Sequence, residues 1–253
     1  NLYNIHFLKY NTFMERVNLL GYGIDTFSFD GAIEHALELE KTDKVSQVVT
    51  INPEMFDCAK VDKEFSDILN SAEMIIPDGV GVKIGLKILG NNVEKIAGID
   101  FARRMIDKSA ENGLSVALIG AKPEVIQLAK ENLEKEVEGL NIVYIQDGYF
   151  KDDDRVLEEL KNANPRLILV ALGSPKQEKF IAKARNVLNY GLMVGVGGSF
   201  DVWSGTVERA PEIYQKLGIE WLYRTVKQPE RFKRIFPTLP LFVLRVLREK
   251  LGV

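Results

Sequence analysis

Two apolar runs within Leu167–Asp201 decide the fold: Leu167–Leu172 (LILVAL), followed by Gly173–Glu178 (GSPKQE), and Leu192–Val196 (LMVGV), followed by Gly197–Asp201 (GGSFD). Each run has the length and the branched side chains of a strand that is buried on both faces. Each ends in small residues, where the backbone can approach a ligand closely. Ligands of open parallel sheets bind at the carboxyl ends of strands, beside the helices that follow. The stretch therefore predicts an anionic ligand at these two strand ends.

Strand-like and helix-like segments alternate along the rest of the chain. The other predicted strands are Val17–Gly21, Val45–Ile51, Met74–Ile76, Leu114–Ile119 and Asn141–Ile145. Tyr22–Asp25 is interpreted as a turn, and Ser28 or Asp30 as the cap of the helix that follows. This alternation predicts an α/β fold of the Rossmann-like type, in which helices flank a mostly parallel sheet.

Composition excludes several classes of protein. The 253 residues are 46% hydrophobic and 27% charged, which is typical of a globular protein of one large or two small domains. The net charge of -3 implies no general affinity for nucleic acid. The single cysteine, Cys58, excludes an internal disulfide, and with only two histidines it argues against a zinc site. No apolar stretch reaches the roughly 20 residues that span a bilayer.

Both ends of the chain differ from the body, which is predicted to be residues 14–223. Residues 1–13 precede Met14 and lack the order of a signal peptide. Met14 is interpreted as the natural start, and residues 1–13 as a leader that is either vector-derived or upstream sequence. Residues 224–253 carry eight basic residues against two acidic ones, a charge of +6, interleaved with apolar side chains. We expect Pro237 and Pro240 to break this appendage into two helical pieces.

The basic appendage has two interpretations. A basic, apolar segment on an acidic body predicts docking on an anionic membrane surface. Alternatively, Phe232, Ile235, Phe236 and Leu239, which recur at helical spacing, pack on the body as core.

Asp78 is the candidate catalytic carboxylate. It follows a predicted strand within Pro77-Asp78-Gly79, where an aspartate is otherwise a common turn residue. Thr50 and Asn52 end another predicted strand, so their side chains are expected at the same edge of the sheet. Their alternative role is to cap the next helix.

The turn Gly197-Gly198-Ser199 resembles a phosphate-binding turn, although it lacks the Gly-x-Gly-x-x-Gly pattern and any Walker lysine. A tight strand-to-helix connection is the alternative. Asp201 can accept hydrogen bonds from ribose or uracil, or cap a helix. Asp152-Asp153-Asp154 contains the Asp-x-Asp pattern of metal-dependent sugar transferases, but its position favours a helix start instead.

Six motifs occur in an order that resembles one family, the WecG/TagA/CpsF bacterial glycosyltransferases (glycosyltransferase family 26). The resemblance covers about residues 14–236. The motifs are Pro77–Gly81 (PDGVG), Ala97–Asp100 (AGID), Gly173–Glu178 (GSPKQE), Gly195–Asp201 (GVGGSFD), Arg209–Pro211 (RAP) and Gly218–Arg224 (GIEWLYR).

The resemblance implies an activity and a location. It implies transfer of N-acetylmannosamine from its UDP donor to undecaprenyl-diphosphate-linked N-acetylglucosamine, with a β-1,4 link and inversion, in wall teichoic acid synthesis. It also implies an enzyme that needs no metal or other cofactor. The enzyme would be cytoplasmic and peripheral to the inner face of the cell membrane.

The resemblance also assigns roles to residues. Asp78 matches the family's base. The residues that match acceptor or substrate contacts are Thr50, Asn52, Lys95, Gln177, Arg224, Arg231 and Arg234. The residues that match nucleotide contacts are Tyr149, Gly197, Gly198, Ser199 and Asp201. Lys95 stands where the family commonly has an arginine, and a lysine lacks the planar fork of a guanidinium.

There are several alternatives to this interpretation. The donor can be another UDP-sugar, such as N-acetylmannosaminuronate or a hexose. The chain can instead be a non-catalytic nucleotide-binding or membrane-scaffold protein. A nicotinamide dehydrogenase is disfavoured, because Gly21–Thr26 has only two of the three fingerprint glycines. The apolar appendage can also pack between subunits, which would make a homo-oligomer in solution.

Overall fold

The computed structural model describes residues 15–216, 218–227 and 232–252. Its strands are β1 (Arg16–Leu19), β2 (Tyr22–Asp25), β3 (Val45–Ile51), β4 (Met74–Pro77), β5 (Ser115–Gly120), β6 (Asn141–Gln146), β7 (Leu167–Ala171) and β8 (Gly191–Gly195). Its helices are α1 (Phe29–Glu40), α2 (Pro53–Val61), α3 (Lys63–Ser71), α4 (Gly79–Ile88), α5 (Gly98–Glu111), α6 (Pro123–Glu136), α7 (Asp153–Ala163), α8 (Lys176–Ala184), α9 (Ser199–Trp203), α10 (Glu212–Lys216), α11 (Glu220–Lys227) and α12 (Phe232–Leu251).

Six strands form one parallel sheet in the order β4-β3-β8-β7-β5-β6, which confirms the predicted fold class. Every residue of β7 and β8 is buried, as their apolar sequences predict. Side chains of α1, α5, α6 and α9 form the core on one face. Side chains of α2, α3, α4 and α12, and of α7 and α8, form the core on the other. Helices therefore cover both faces, and the carboxyl ends of all six strands share one edge.

The interpretation of Tyr22–Asp25 as a turn is wrong. These residues form β2, which pairs antiparallel with β1 across a turn at Leu20 and Gly21, where both backbones have positive φ. Asp25 is buried and accepts hydrogen bonds from Arg16 and from the backbone N–H of Ile75 on the edge strand β4. The side chain of Asp25 thus joins the hairpin to the sheet, which the local turn propensity of the segment does not reveal.

Side-chain caps fix where several helices begin. Ser28 accepts a hydrogen bond from the Gly31 N–H and caps α1, as predicted. Asp152 caps α7 through the N–H of Arg155, so the acidic run Asp152–Asp154 is a helix start. The carboxylate of Asp153 pairs with Lys183 on α8. These contacts support the helix-start interpretation of the Asp-x-Asp pattern.

The prediction that two prolines break the C-terminal segment is wrong, because α12 continues through Pro237 and Pro240. Each proline removes one backbone donor. The segment beyond them is nevertheless held by packing, since Phe242 and Val246 are fully buried against α2 and α4. Tertiary packing of an apolar face stabilises a helix more than local propensity does.

Polar contacts also hold α12 on the body. The Glu249 carboxylate accepts hydrogen bonds from the Leu20 N–H at 3.1 and 3.0 Å, and Arg245 pairs with Asp57 on α2. The inner face of α12 therefore belongs to the core, as the second interpretation of the appendage expected. Of the residues named in that interpretation, Leu239 lies against Gly81 of α4, and the side chains of Phe232, Ile235 and Phe236 lie outside the described part of the chain. The predicted boundary before residue 224 falls inside α11, and the division into 14–223 and 224–253 stays a prediction. The predicted leader, 1–13, lies outside the described residues.

Candidate active site

A crevice opens between the carboxyl ends of β3 and β8. The chain leaves β3 into α2 on one face of the sheet, and leaves β8 into α9 on the other face. Adjacent strands whose connections diverge in this way form the binding crevice of open parallel sheets. Thr50 stands at this point, and its hydroxyl donates a hydrogen bond to the Gly195 carbonyl at 3.3 Å.

Asp78 lies one strand further along the same edge. Its backbone N–H donates to the Ile51 carbonyl at 2.9 Å, which continues the pairing of β4 with β3. Asp78 precedes α4, but its half-buried side chain makes no hydrogen bond to the first turn of that helix. The carboxylate therefore does not serve as a helix cap.

The segment before α5 runs beside Asp78. The Ile96 N–H donates to the Pro77 carbonyl at 3.2 Å, and a Cβ on Gly98 would lie 3.1 Å from the Thr50 methyl carbon. Lys95 and Asp100 line a cavity of about 280 Å³ next to this contact. The sequence-predicted residues Thr50, Asp78 and Lys95 are thus brought to one region of the edge.

Arg209 and Asp100 form an ion pair in the wall of this cavity, which sequence reasoning missed. Both guanidinium Nη atoms donate to the Asp100 carboxylate, at 2.6 and 2.7 Å. The hydrogen bonds to Asp100 raise the pKa of Arg209, and attraction to Asp78 adds a smaller contribution. Asp100 ends the motif Ala97–Asp100, and Arg209 begins the motif Arg209–Pro211. The opposite charges of these two residues were the available signal.

Asn52 has the capping role that was its alternative. Its side-chain oxygen accepts hydrogen bonds from the N–H groups of Glu54 and Met55, at 3.0 and 3.2 Å, so it fixes the start of α2. Its side-chain nitrogen has no hydrogen-bond partner among the residues that the structure describes. The amide nitrogen is therefore the part of Asn52 that remains for a ligand.

Gln177 lies on the other side of Thr50, at the start of α8, and is 5% exposed. Its Nε2 donates to Glu178 at 2.8 Å, and its Oε1 accepts from the Gly197 N–H at 3.1 Å. A Cβ on Gly195 would lie within 2.9 Å of Gln177 Cδ, so the strand end must be glycine for this side chain to fit. Gln177 thus contacts the turn after β8 through its side-chain amide.

Glu178 is 2% exposed, and sequence reasoning gave it no role. Burial raises the pKa of its carboxyl, which the hydrogen bond from Gln177 only partly offsets. Its Oε2 is buried and has no hydrogen-bond partner among the described residues. A carboxyl group in such surroundings favours the uncharged form.

The turn Gly197–Ser199 connects β8 to α9. Gly197 has a φ of +51°, and a Cβ there would meet no atom within 4 Å, so its surroundings are open. Ser199 is buried, and its hydroxyl donates to the Val196 carbonyl at 2.7 Å. The Asp201 carboxylate faces the turn, since a Cβ on Gly198 would lie 3.5 Å from its Oδ2.

Tyr149 follows the edge strand β6 and is 66% exposed. Three strand spacings separate β6 from β8, which corresponds to about 14 Å along the edge. Tyr149 therefore follows a strand of the same edge, three strands away from the one that precedes Gly197.

The remaining predicted site residues lie in the part of the chain that is not fully described. Arg231 lies outside the described residues, as do the side chains of Arg224 in α11 and Arg234 in α12. Within the described residues, no group of three or more His, Cys, Asp or Glu side chains is arranged to hold a metal ion. That the activity needs no metal stays a prediction.

Comparison with known proteins identifies the family of this chain. Residues 17–253 match the model of the family described as "Glycosyl transferase WecG/TagA/CpsF family". A protein of Bacillus subtilis (strain 168), named N-acetylglucosaminyldiphosphoundecaprenol N-acetyl-beta-D-mannosaminyltransferase, is 36% identical over 82% of this chain and 81% of its own length. A protein of the same name from Bacillus spizizenii (strain W23) is 36% identical over 80% and 79%. This chain belongs to the WecG/TagA/CpsF family of glycosyltransferases.

Proposed function

We propose that this enzyme transfers N-acetylmannosamine from UDP-N-acetylmannosamine to undecaprenyl-diphosphate-linked N-acetylglucosamine, with a β-1,4 link, in the synthesis of the linkage unit of wall teichoic acid. The names of the two Bacillus relatives support the acceptor and the transferred sugar. One structural observation carries the proposal: Asp78, Thr50 and the Gly197 turn follow three adjacent strands at one edge of the sheet.

Asp78 acts as the general base of a single displacement. Its carboxylate takes the proton of the acceptor 4-hydroxyl while that oxygen attacks the anomeric carbon of the donor. The new glycosidic bond forms as the bond to the UDP oxygen breaks, so the configuration at the anomeric carbon inverts. Asp78 is half-buried and lies next to the segment of Lys95, which lines a cavity of about 280 Å³ that can admit a sugar.

The nucleotide binds along the edge from the Gly197 turn toward Tyr149. The open surroundings of Gly197 let a diphosphate approach the turn closely, and the exposed ring of Tyr149 offers a face on which uracil can stack. Asp201 accepts hydrogen bonds from the nucleoside. Arg224, Arg231 and Arg234 neutralise the charge on the departing UDP, and Lys95 contacts the acceptor diphosphate.

The outer face of α12 docks on the anionic inner surface of the cell membrane. Leu241, Leu244, Leu247 and Leu251 are 55%, 44%, 40% and 75% exposed and lie on one side of the helix. Arg248 and Lys250 are exposed near the same end. An apolar stripe flanked by basic side chains is typical of helices that lie on a membrane surface. None of the described helices is long and apolar enough to cross a membrane.

The activity is tested with a panel of donors and one acceptor. Purified full-length protein is incubated with a short-chain analogue of undecaprenyl-diphosphate-N-acetylglucosamine and with UDP-linked N-acetylmannosamine, N-acetylmannosaminuronate, N-acetylglucosamine or glucose. We expect UDP release and a disaccharide-lipid product with the first donor only. Faster transfer from another donor would replace the proposed sugar, and absence of transfer from every donor would favour a non-catalytic nucleotide-binding protein.

Membrane docking is tested separately with vesicles that contain anionic lipid. Replacing Leu241, Leu244 and Leu247 by Gln should release the protein from the vesicles and leave its melting temperature nearly unchanged, because these side chains are exposed. Phe242→Ala is the matched control from the inner face of the same helix. It should lower the free energy of unfolding by roughly 3–5 kcal/mol, because Phe242 is fully buried. Vesicle binding that survives the triple replacement would refute this docking surface.

A further inference from the structure

The two buried polar side chains at the start of α8, Gln177 and Glu178, are linked to the turn after β8 by a chain of hydrogen bonds. Glu178 accepts from Gln177 Nε2 at 2.8 Å, and Gln177 Oε1 accepts from the Gly197 N–H at 3.1 Å. The amide oxygen of Gln177 and one hydrogen of its amide nitrogen are therefore already engaged within the protein. These two contacts position the turn, and the substrate contact of Gln177 stays a prediction.

We propose that Glu178 is a positioning residue, which orients the Gln177 amide so that it holds the Gly197 turn in the conformation that receives the donor nucleotide. The inference rests on the proposed function, because it takes the turn as part of the nucleotide site. Glu178 was not among the predicted site residues, and its role is exerted through Gln177.

Glu178 controls which end of the Gln177 amide faces Gly197. An amide can present either its oxygen or its nitrogen to a neighbour. With the nitrogen facing Gly197, two N–H groups would meet, and the Gly197 donor would lose its acceptor. The Oε1 atom of Glu178 accepts from Gln177 Nε2, and the Ser174 side chain also donates to this carboxyl. Because Oε1 is thereby held as the accepting oxygen, it selects the orientation in which the Nε2 side of the amide faces Glu178.

Gly195 and Gly197 provide the room and the backbone conformation for this arrangement. A Cβ on Gly195 would lie within 2.9 Å of Gln177 Cδ and would displace the side chain. Gly197 has a φ of +51°, which residues with a Cβ seldom adopt. The strand end and the turn are therefore both shaped to accept the Gln177 amide.

The surroundings of Glu178 indicate which replacements separate the possible roles. Glu178 is 2% exposed, and its Oε2 has no hydrogen-bond partner among the described residues, as suits an uncharged carboxyl. Glutamine is therefore a conservative replacement, since it keeps the acceptor oxygen. Leucine has a similar volume but no acceptor, so Glu178→Leu removes the hydrogen bonds that the carboxyl accepts from the side chains of Gln177 and Ser174.

Two measurements on the full-length protein test the proposal: hydrogen exchange of the Gly197 amide without nucleotide, and the affinity for UDP by calorimetry. We expect Glu178→Leu to speed exchange of the Gly197 amide and to weaken UDP binding, each by roughly tenfold, the value of one lost buried hydrogen bond. Glu178→Gln should leave both within about threefold of the wild type. Exchange of the central β7 amides serves as the internal control for folding.

Unchanged Gly197 exchange and unchanged UDP affinity in Glu178→Leu would overturn the proposal. So would a Glu178→Gln protein that binds UDP normally but no longer transfers sugar, because Glu178 would then act in the chemical step. If Glu178→Leu does not fold, Glu178→Met, which also lacks a carboxyl oxygen, takes its place and should give the same two changes. Failure of the proposed function looks different: the wild type would not bind UDP, while Gly197 exchange would still depend on Glu178.

Discussion

The two sides of the crevice use polar groups in opposite ways. On the β4 side, Asp78, Asp100 and Arg209 are half-buried charged residues, and the last two line a cavity. On the β8 side, Gln177 and Glu178 are almost fully buried and bind one another and a backbone N–H. A group that exchanges a proton with substrate must be reachable, whereas a group that holds a turn is most effective when water is excluded. The chemistry and its framework thus occupy neighbouring strand ends.

The largest expected effect comes from the β4 side. Asp78→Asn should lower the transfer rate by roughly 10²–10⁴-fold, because an amide cannot take the acceptor proton. UDP affinity should stay within about twofold, since the nucleotide binds on the other side of the crevice. Steady-state kinetics measures the transfer rate, and calorimetry on the same preparation measures the UDP affinity.

Asp43→Asn is the matched control, because Asp43 is an exposed aspartate in the loop that precedes β3, at the opposite end of the strand. Asp43→Asn should change neither the transfer rate nor the UDP affinity. If Asp78→Asn instead lowers UDP affinity and leaves the rate constant of transfer intact, the assignment of roles to the two sides is reversed.

The next effect is expected on the β8 side. Gly195→Ala places a methyl group against the Gln177 side chain and should lower the free energy of unfolding by about 1–3 kcal/mol. It should also weaken UDP binding, because Gln177 can no longer reach Gly197.

The double replacement Gly195→Ala with Gln177→Ala sharpens this prediction. Removing the larger side chain relieves the clash, so stability to urea should recover in part, whereas UDP affinity should stay low because the acceptor for the Gly197 N–H is gone. Recovery of both stability and affinity would mean that the hydrogen bond to Gly197 is dispensable.

The Arg209–Asp100 pair should show intermediate effects. Each single replacement, Arg209→Met or Asp100→Asn, leaves one charged partner without its ion pair, whereas the double replacement removes both charges. We therefore expect a coupling free energy of about 0.5–3 kcal/mol from urea unfolding of the four proteins. Additive losses would show that the two charges do not stabilise one another.

The sequence predicts the sheet edge well, because its signals are local. Buried parallel strands are apolar runs, and such runs end in small or polar residues at Gly173, Gly197, Asn52 and Asp78. The role of Glu178 and the Arg209–Asp100 pair were not predictable in the same way. The Arg209–Asp100 pair joins residues that are distant in sequence. The role of Glu178 depends on its burial, which a charged residue type does not predict.

The C-terminal helix shows that a strong local signal can also give a wrong prediction. Pro237 and Pro240 are strong local signals for a break, and they mislead because Phe242 and Val246 bury into a core formed by the N-terminal half of the chain. The cap at Asn52 illustrates an ambiguity that sequence leaves open: the side chain both starts α2 and lies at the site.

The smallest expected effect is a pH dependence of stability. The pKa of Glu178 is raised above its ordinary value of 4.5 by burial. As the pH rises above about 4.5, the unfolded chain releases this proton while the folded protein keeps it, so Glu178 lowers the stability of the wild type progressively until the pH passes the folded pKa. Glu178→Gln lacks this loss and should gain stability relative to the wild type between pH 4 and pH 7.

Urea unfolding at several pH values measures this difference. The charged neighbours Asp62 and Lys179, and the thiol of Cys58, are the same in both proteins, so their titration cancels. A constant difference between the two proteins across this range would show that Glu178 ionises normally in the folded state.

The central claim is that a base, not a nucleophile, drives transfer at the β4 side of the crevice. It is tested most directly by proton NMR of the product formed from UDP-N-acetylmannosamine and a short-chain lipid-diphosphate N-acetylglucosamine. The account predicts a β-linked N-acetylmannosamine on the 4-hydroxyl, inverted relative to the α-linked donor, together with stoichiometric UDP. An α-linked product would contradict it, because retention of configuration requires a second displacement that Asp78 acting as a base does not provide.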